Sequence, residues 1–293
     1  MKNPITDNLN PEQHQAVTED QTNCLALAGA GSGKTRVLVH RIAWLIQEQH
    51  LSPHNILSVT FTNKAAGEMR GRIEELLGHP QQSMWVGTFH GLAHRLLRLH
   101  WQAAGLPQEF QILDADDQLR LVKRIIRDLD LDEDKWQPKQ AVWFINKNKE
   151  NGKRPDDIDV VADYFAEMMR KIYSEYERIC KQSGLVDFSE LLLRSLELLQ
   201  DNPDITEHYQ HRFKHMLVDE FQDTNTLQYL WLQTLCSPQC HITAVGDDDQ
   251  SIYSWRGAKI ENLHRFCKDF APVTTIRLEQ NYRSTQTILN AAN

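Results

Sequence analysis

The sequence predicts an α/β fold in which an open parallel sheet is interrupted by an all-helical insertion. Three observations carry that prediction. Short apolar runs of strand length alternate with amphipathic helical runs over the first ninety residues, helical patterns with almost no strand signal fill 91–214, and the alternation resumes from 215. A chain of 293 residues is long enough for two domains of ~100–150 residues, each with its own core.

In chain order, residues 24–28 read as a buried strand that runs into a glycine-rich loop. Residues 36–49 follow as a helix, with Val37, Val39, Ile42, Ala43, Leu45 and Ile46 giving it more than one apolar side. A second strand is expected at 56–61 and a second helix at 63–77, stopped by Gly78 and Pro80. A third strand is expected at 85–89. This βαβαβ rhythm places ligands at the carboxyl ends of the strands. Helical patterns then cover 94–103, 116–129, 138–146, 163–181 and 188–199, parted by polar turns such as 151–155. Strands return at 215–219, 241–245 and 273–278, with a helix over 260–270. A last helical pattern begins near Ser284 and reaches Asn293 without a stop signal, so the chain is expected to be a fragment. The expected division is a sheet domain from 1–90 and 215–280, a helical domain from 91–214, and the start of a further, truncated domain over 281–293.

Apolar residues make up 41% of the chain, with 13 Gly and 10 Pro, which excludes collagen-like, low-complexity and disordered chains. There is no run of ~18 apolar residues, and residues 1–7 lack the apolar core of a secretory signal. A cytoplasmic protein with no membrane partner is expected. Five scattered cysteines (Cys24, Cys180, Cys236, Cys240 and Cys267) fit free thiols in a reducing compartment, and Cys236 and Cys240 read as small buried hydrophobes beside a strand. Cys236, Cys240 and His241 fall close together, but no second Cys/His pair follows at zinc spacing. The net charge of −8 is spread over the chain, with 7 basic and 8 acidic residues over 1–90, 19 and 23 over 91–214, and 6 and 9 over 215–293. No basic field advertises nucleic acid, so such a partner must be read from local motifs.

The chemistry begins at Ala28, Gly29, Ala30, Gly31, Ser32, Gly33, Lys34 and Thr35, between a strand and a helix. That is the context a phosphate-binding loop requires. Its glycines let the backbone wrap a triphosphate with N–H groups inward, and the helix N-terminus adds partial positive charge. Lys34 is expected to reach the β- and γ-phosphates and the Thr35 hydroxyl to ligate Mg²⁺. Ala28 stands where the general pattern has its first Gly.

The strand at 215–219 ends in Asp219, a second Mg²⁺ contact, and Glu220 follows as a general base that polarises a water. Transfer of phosphate to a metabolite would need no such base, so ATP hydrolysis is the expected reaction. After the next strand, Gln250 would sense the γ-phosphate or orient the water. Tyr253, Trp255 and Arg256 form an aromatic–cationic cluster of the kind that single-stranded bases stack on.

Six segments occur here in the order seen in the UvrD/Rep/PcrA family of superfamily 1 DNA helicases, which the chain resembles along essentially its whole length. They are 28–35, 60–66 (TFTNKAA), 87–90 (GTFH), 219–224 (DEFQDT), 246–258 (GDDDQSIYSWRGA) and 278–284 (LEQNYRS). Residues 85–98, 111–121 and 184–193 resemble the bacterial UvrD branch most, and Ala28 is the form the family itself uses. The resemblance implies a RecA-like P-loop NTPase sheet with an inserted accessory domain, ATP and Mg²⁺ as cofactors, and 3′→5′ movement along single-stranded DNA. It also implies single-strand/duplex junctions as substrates and excision- and mismatch-repair proteins as partners.

Position by position, Gln13 matches the glutamine that reads adenine, and Arg36 resembles a nucleotide-side arginine. Tyr282 matches the aromatic that stacks on the base, and Arg283 matches an arginine finger. Phe61, Thr62, Asn63, Thr88, His90, Tyr253, Trp255 and Arg256 match positions lining the single-strand groove, and Gln250 the residue coupling γ-phosphate to it. A translocase that displaces proteins, and a phosphate-loop ATPase or kinase without DNA, are the alternatives. Within the helical stretch, Arg120, Lys123, Arg124 and Arg127 sit among Asp residues and read as a solvated face. For Lys147, Lys149, Lys153 and Arg154, contact with DNA phosphates and a solvated turn are equally open.

Overall fold

In the computed structural model, strands alternate with helices through the first part of the chain, as the apolar runs require. The structure describes residues 3–29, 31–81, 83–159, 163–247, 261–280 and 282. The elements in order are α1 (Pro11–Thr18), β1 (Asn23–Ala28), α2 (Lys34–Gln47), β2 (Ile56–Thr60), α3 (Asn63–Leu77), β3 (Trp85–Thr88) and α4 (Phe89–Leu99). Next come β4 (Gln111–Leu113), α5 (Ala115–Asp128), α6 (Pro138–Glu150), α7 (Tyr164–Ser183), β5 (Leu185–Asp187), α8 (Phe188–Asp201) and α9 (Pro203–Arg212). The chain closes with β6 (His215–Val218), α10 (Thr226–Leu235), β7 (His241–Gly246), α11 (Glu261–Asp269) and β8 (Val273–Leu278). The chain divides into two compact units, one of residues 1–92, 204–224 and 232–293, the other of 93–203 and 225–231.

In the first unit, six strands form one parallel sheet in the order β3-β2-β6-β7-β1-β8. Parallel strands buried on both faces carry near-continuous apolar runs rather than alternation, which is how β2 (ILSVT, buried throughout) and β6 (HMLV) read. Cys24, Ala26 and Ala28 pack with Val37, Leu38, Ile42 and Leu45 of α2 and with Leu217 and Val245 of the neighbouring strands. Because β1, β6 and β7 are adjacent, the loops after them meet at one carboxyl edge of the sheet. The loops after β2 and β3 meet farther along the same edge, where Phe61 and Phe89 touch edge to face with centroids 5.8 Å apart.

The second unit is helical except for β4 and β5, two parallel strands of three residues each. Sequence periodicity passes over segments this short. Its core joins Val122, Ile125 and Ile126 of α5 to Ile145 of α6 and to Met169, Ile172, Tyr173 and Tyr176 of α7. Beside it lies a buried ionic cluster. Lys149, 1% exposed, reaches Glu177 at 2.7 Å, Asp187 at 2.8 Å and Glu190 at 2.9 Å. Arg154 pairs with Glu177, Glu190 and Glu197, and the Tyr176 hydroxyl donates to Asp187 at 2.7 Å. Burial opposes the charge on Lys149, but Asp187, Glu190 and Glu177 overturn it and hold its pKa well above the ordinary value.

Those contacts correct one sequence reading. Lys149 and Arg154 are internal cations, not phosphate contacts, whereas Lys147 is exposed with its ammonium 4.5 Å from the Trp143 ring centre. Arg120, Arg124 and Arg127 pair with Asp117, Asp128 and Glu133 on an exposed face. Of the two cysteines read as small buried hydrophobes, Cys240 is buried and Cys236 half-buried; Cys24 and Cys180 are buried and Cys267 is exposed.

Candidate active site

The phosphate-loop segment forms a turn between β1 and α2. Gly33, the residue before α2, sits at φ +90°, a conformation only glycine adopts freely. Ser32 Oγ donates to Gly29 O at 2.8 Å and tightens the turn. The loop is buttressed by α1, whose start carries a reciprocal cap. Asn10 Oδ1 accepts from Gln13 N at 2.7 Å, and Gln13 Oε1 accepts from Asn10 N at 3.4 Å. Gln13 is fully buried, and its Nε2 donates to Ser32 O at 3.0 Å. A Cβ added to Gly33 would lie 2.8 Å from that same Nε2.

Tyr282 joins from the far end of the chain. Its N–H donates to Gly31 O at 2.9 Å, its hydroxyl accepts from Asn10 Nδ2 at 2.9 Å, and the residue is half exposed. Gln13 and Tyr282 therefore both hold the loop backbone, at Ser32 and Gly31, and both meet Asn10. Arg36 turns away from the loop and donates to Asn8 O at 2.7 Å.

The acids arrive from β6 and β7. Lys34 Nζ lies 2.9 Å from Glu220 Oε2 and 3.9 Å from Asp247 Oδ2. Thr35 Oγ1 donates to Asp219 Oδ2 at 3.4 Å, so loop hydroxyl and strand-end carboxylate face one another. Glu220 is at φ +48°, in the left-handed region that a non-glycine residue enters at a cost of about 1–2 kcal/mol. That backbone turn carries its side chain to Lys34. Gln222 Nε2 donates to Glu220 Oε2 at 2.8 Å, and Asp247 N donates to Gln222 Oε1 at 3.0 Å. Burial and then the neighbouring Glu220 charge raise Asp219 to about 6, and the same two causes raise Asp223 to about 6. Asp219, Glu220, Asp223 and Asp247 together carry more negative charge than Lys34 offsets. Two hard oxygen donors beside that excess, Thr35 Oγ1 and Asp219 Oδ2, fit a divalent cation such as Mg²⁺.

Phe61, Thr62 and Asn63 lie where β2 passes into α3, and Thr88 and His90 where β3 passes into α4. Thr62 Oγ1 accepts from Ala65 N and Thr88 Oγ1 from Gly91 N, each at 3.1 Å, so both threonines hold helix starts. Thr62 and Asn63 are exposed, and Thr88 is buried. Ala30, Gln250, Tyr253, Trp255, Arg256, Arg283 and the 281–293 boundary segment lie outside the described residues, Tyr282 excepted.

Sequence reasoning gave no role to Gln222, Asp247 or Asn10. Asp247 had a visible signal, since it follows an apolar strand just as Asp219 does. Asn10 and Gln13 had one too, being a cap residue and an amide three positions on, ahead of an apolar helix face.

Residues 9–271 match the family model described as the UvrD/REP helicase N-terminal domain. The chain is 57% identical over 289 residues to DNA helicase II of Escherichia coli (strain K12). It is 55% identical over 293 residues to DNA helicase II of Haemophilus influenzae, and 42% identical over 292 residues to the ATP-dependent DNA helicase PcrA of Staphylococcus aureus (strain Mu50). Each comparison covers 99% of this chain, and the chain spans about 40% of the length of these curated relatives. With the loop of β1 and the acids of β6 and β7 assembled at one edge of a parallel sheet, and the match running through all of them, the chain belongs to the UvrD/REP helicase family and carries its N-terminal domain.

Proposed function

We propose that the chain is the nucleotide-hydrolysing part of an ATP-dependent DNA motor that moves 3′→5′ on single-stranded DNA and opens single-strand/duplex junctions in DNA repair. The observation that carries this reading is the convergence of Lys34 and Thr35, after β1, with Asp219 and Glu220, after β6, two strands parted in the sheet by β7 alone. Lys34 would leave Glu220 for the β- and γ-phosphates, and Glu220 would then accept a proton from the attacking water. Thr35 and Asp219 would hold Mg²⁺, which when bound neutralises charge developing on the phosphates. Gln13 and Tyr282, both joined to Asn10 beside the loop, would read and stack the adenine.

DNA is assigned to the β2–β3 half of the same edge. There the N-termini of α3 and α4 offer backbone N–H groups and partial positive charge to phosphates, beside Phe61, Asn63 and His90. Repair proteins enter as partners through the family alone. The test is phosphate release with and without a single-stranded oligonucleotide, in this chain and in the complete gene product. DNA-stimulated release that disappears in Lys34→Ala supports the reading, and release indifferent to DNA in the complete product removes the DNA motor from it.

A further inference from the structure

Gln222, 2% exposed, bridges two parts of the site. Its Nε2 donates to Glu220 Oε2 at 2.8 Å and its Oε1 accepts from Asp247 N at 3.0 Å. The backbone N–H can only donate, so the amide has one orientation and its N–H₂ end must face the carboxylate. The fit on the β7 side is close, since a Cβ on Gly246 would come 2.9 Å from Gln222 Oε1. Asp247 precedes residues 248–260, the stretch that carries Gln250, Tyr253, Trp255 and Arg256. On the other flank of that stretch, Asn262 Nδ2 donates to Thr224 O at 2.9 Å, and Phe266 meets Phe221 edge to face at 5.1 Å. The short turn Phe221–Asp223 is thus held from both sides of 248–260.

We infer that Gln222 is a positioning residue that aims the Glu220 carboxylate and ties its orientation to the backbone at Asp247. The inference rests on the reading of Glu220 as that base. Glu220 Oε2 is shared by Lys34 and Gln222. When phosphate draws Lys34 away, the Gln222 amide is the partner that remains. Loss of it leaves the carboxylate free to rotate without removing any contact to nucleotide.

The experiment measures kcat, KM for ATP, thermal midpoint and stimulation by single-stranded DNA in the complete gene product. Its variants are Gln222→Met, Gln222→Ala, Gly246→Ala and the Gly246→Ala/Gln222→Ala pair. A positioned general base contributes ~10²–10⁴-fold, so loosening it in Gln222→Met is expected to lower kcat about 10-fold or more, with and without single-stranded DNA, at an unchanged KM, while loss of the buried bond from Asp247 N–H lowers the thermal midpoint as well. Gly246→Ala displaces the amide and is expected to lower kcat likewise, and the double variant is expected to be no worse than Gln222→Ala. Full kcat in Gln222→Met, a loss confined to KM or thermal midpoint, or additive losses in the double variant would overturn the inference. A wild type that releases no phosphate overturns the hydrolase reading and this inference together, whereas an active wild type with indifferent variants overturns this inference alone.

Discussion

Lys34 Nζ lies 2.9 Å from Glu220 Oε2, so the cation proposed to reach phosphate is engaged by the carboxylate proposed to activate water. On that proposal nucleotide competes with the carboxylate for Lys34. Glu220→Gln removes the competing charge but keeps the side chain's shape. ATP affinity in this variant is expected to hold or rise, while phosphate release falls ~10²–10⁴-fold. Equilibrium nucleotide binding beside single-turnover hydrolysis measures both, and weaker binding would contradict the competition.

Metal dependence follows from the pair Thr35 and Asp219. Chelation with EDTA is expected to stop phosphate release. Asp219→Asn is expected to raise the Mg²⁺ concentration for half-maximal rate about 10-fold or more. A magnesium titration at fixed ATP reads this directly.

Gly33→Ala strains the loop twice, through φ +90° and through a Cβ only 2.8 Å from Gln13 Nε2. It is expected to cost about 1–2 kcal/mol of stability and to weaken nucleotide binding. Urea unfolding and nucleotide titration separate the two effects. The variant should also discriminate less between adenine and guanine nucleotides, because the displaced Gln13 is the residue proposed to read the base.

Burial, followed by the Arg41 and His241 charges, lowers His215 to about 3, and its Nδ1 has no hydrogen-bond partner among the described residues. The unfolded chain takes up this proton near 6.5 and the folded chain only near 3. This contribution to stability is therefore complete above pH 6.5 and shrinks as pH falls through that window. At pH 5 the loss attributable to His215 is about 2 kcal/mol. Urea unfolding of wild type and His215→Gln at pH 5 and 7 tests it: the variant's deficit or gain relative to wild type should change by that amount between the two pH values.

Lys149→Met would leave Glu177, Asp187 and Glu190 facing one another without their central cation. Breaking a buried pair from one side costs about 3–5 kcal/mol. The thermal midpoint of the helical unit is expected to fall, with Lys34 and Glu220 untouched and nucleotide affinity retained. Near-ultraviolet dichroism alongside nucleotide titration checks both halves of the claim.

Much of the sheet was readable because parallel strands buried on both faces announce themselves as apolar runs. The stretches around β1, β2, β6 and β7 are of that kind, whereas the edge strand β8 (VTTIRL) is only partly buried, and α3 begins and ends where Thr62 and Gly78 punctuate it. What escaped was short or lacked contrast. β4 and β5 are three residues each, α1 is only eight residues long, and α10 (TLQYLWLQTL) is apolar on most sides, so periodicity had little to report. At the site, loop and acids were readable by residue type, since phosphate and magnesium chemistry demands them. Gln222 was not, because a glutamine acquires meaning only from what its two ends touch. The fate of Lys149 and Arg154 was hidden for a related reason. Their carboxylate partners sit on α7 and α8, and charge counting along a sequence cannot tell a solvated lysine from one enclosed by three acids.

The strand order has a consequence for how such a chain is made. β1 ends at Ala28, yet both strands that flank it, β7 and β8, begin only at His241 and Val273. At ribosomal rates of ~5–20 residues per second, roughly ten to forty seconds pass between the emergence of β1 and that of its first neighbour. For most of that interval, until Asp219 and Glu220 are made, the loop after β1 exists without the acids it faces in the fold, and throughout it an apolar strand waits with both edges bare. Strand order thus makes assembly of the site a late event, and it leaves β1 open to mispairing until β7 and β8 arrive.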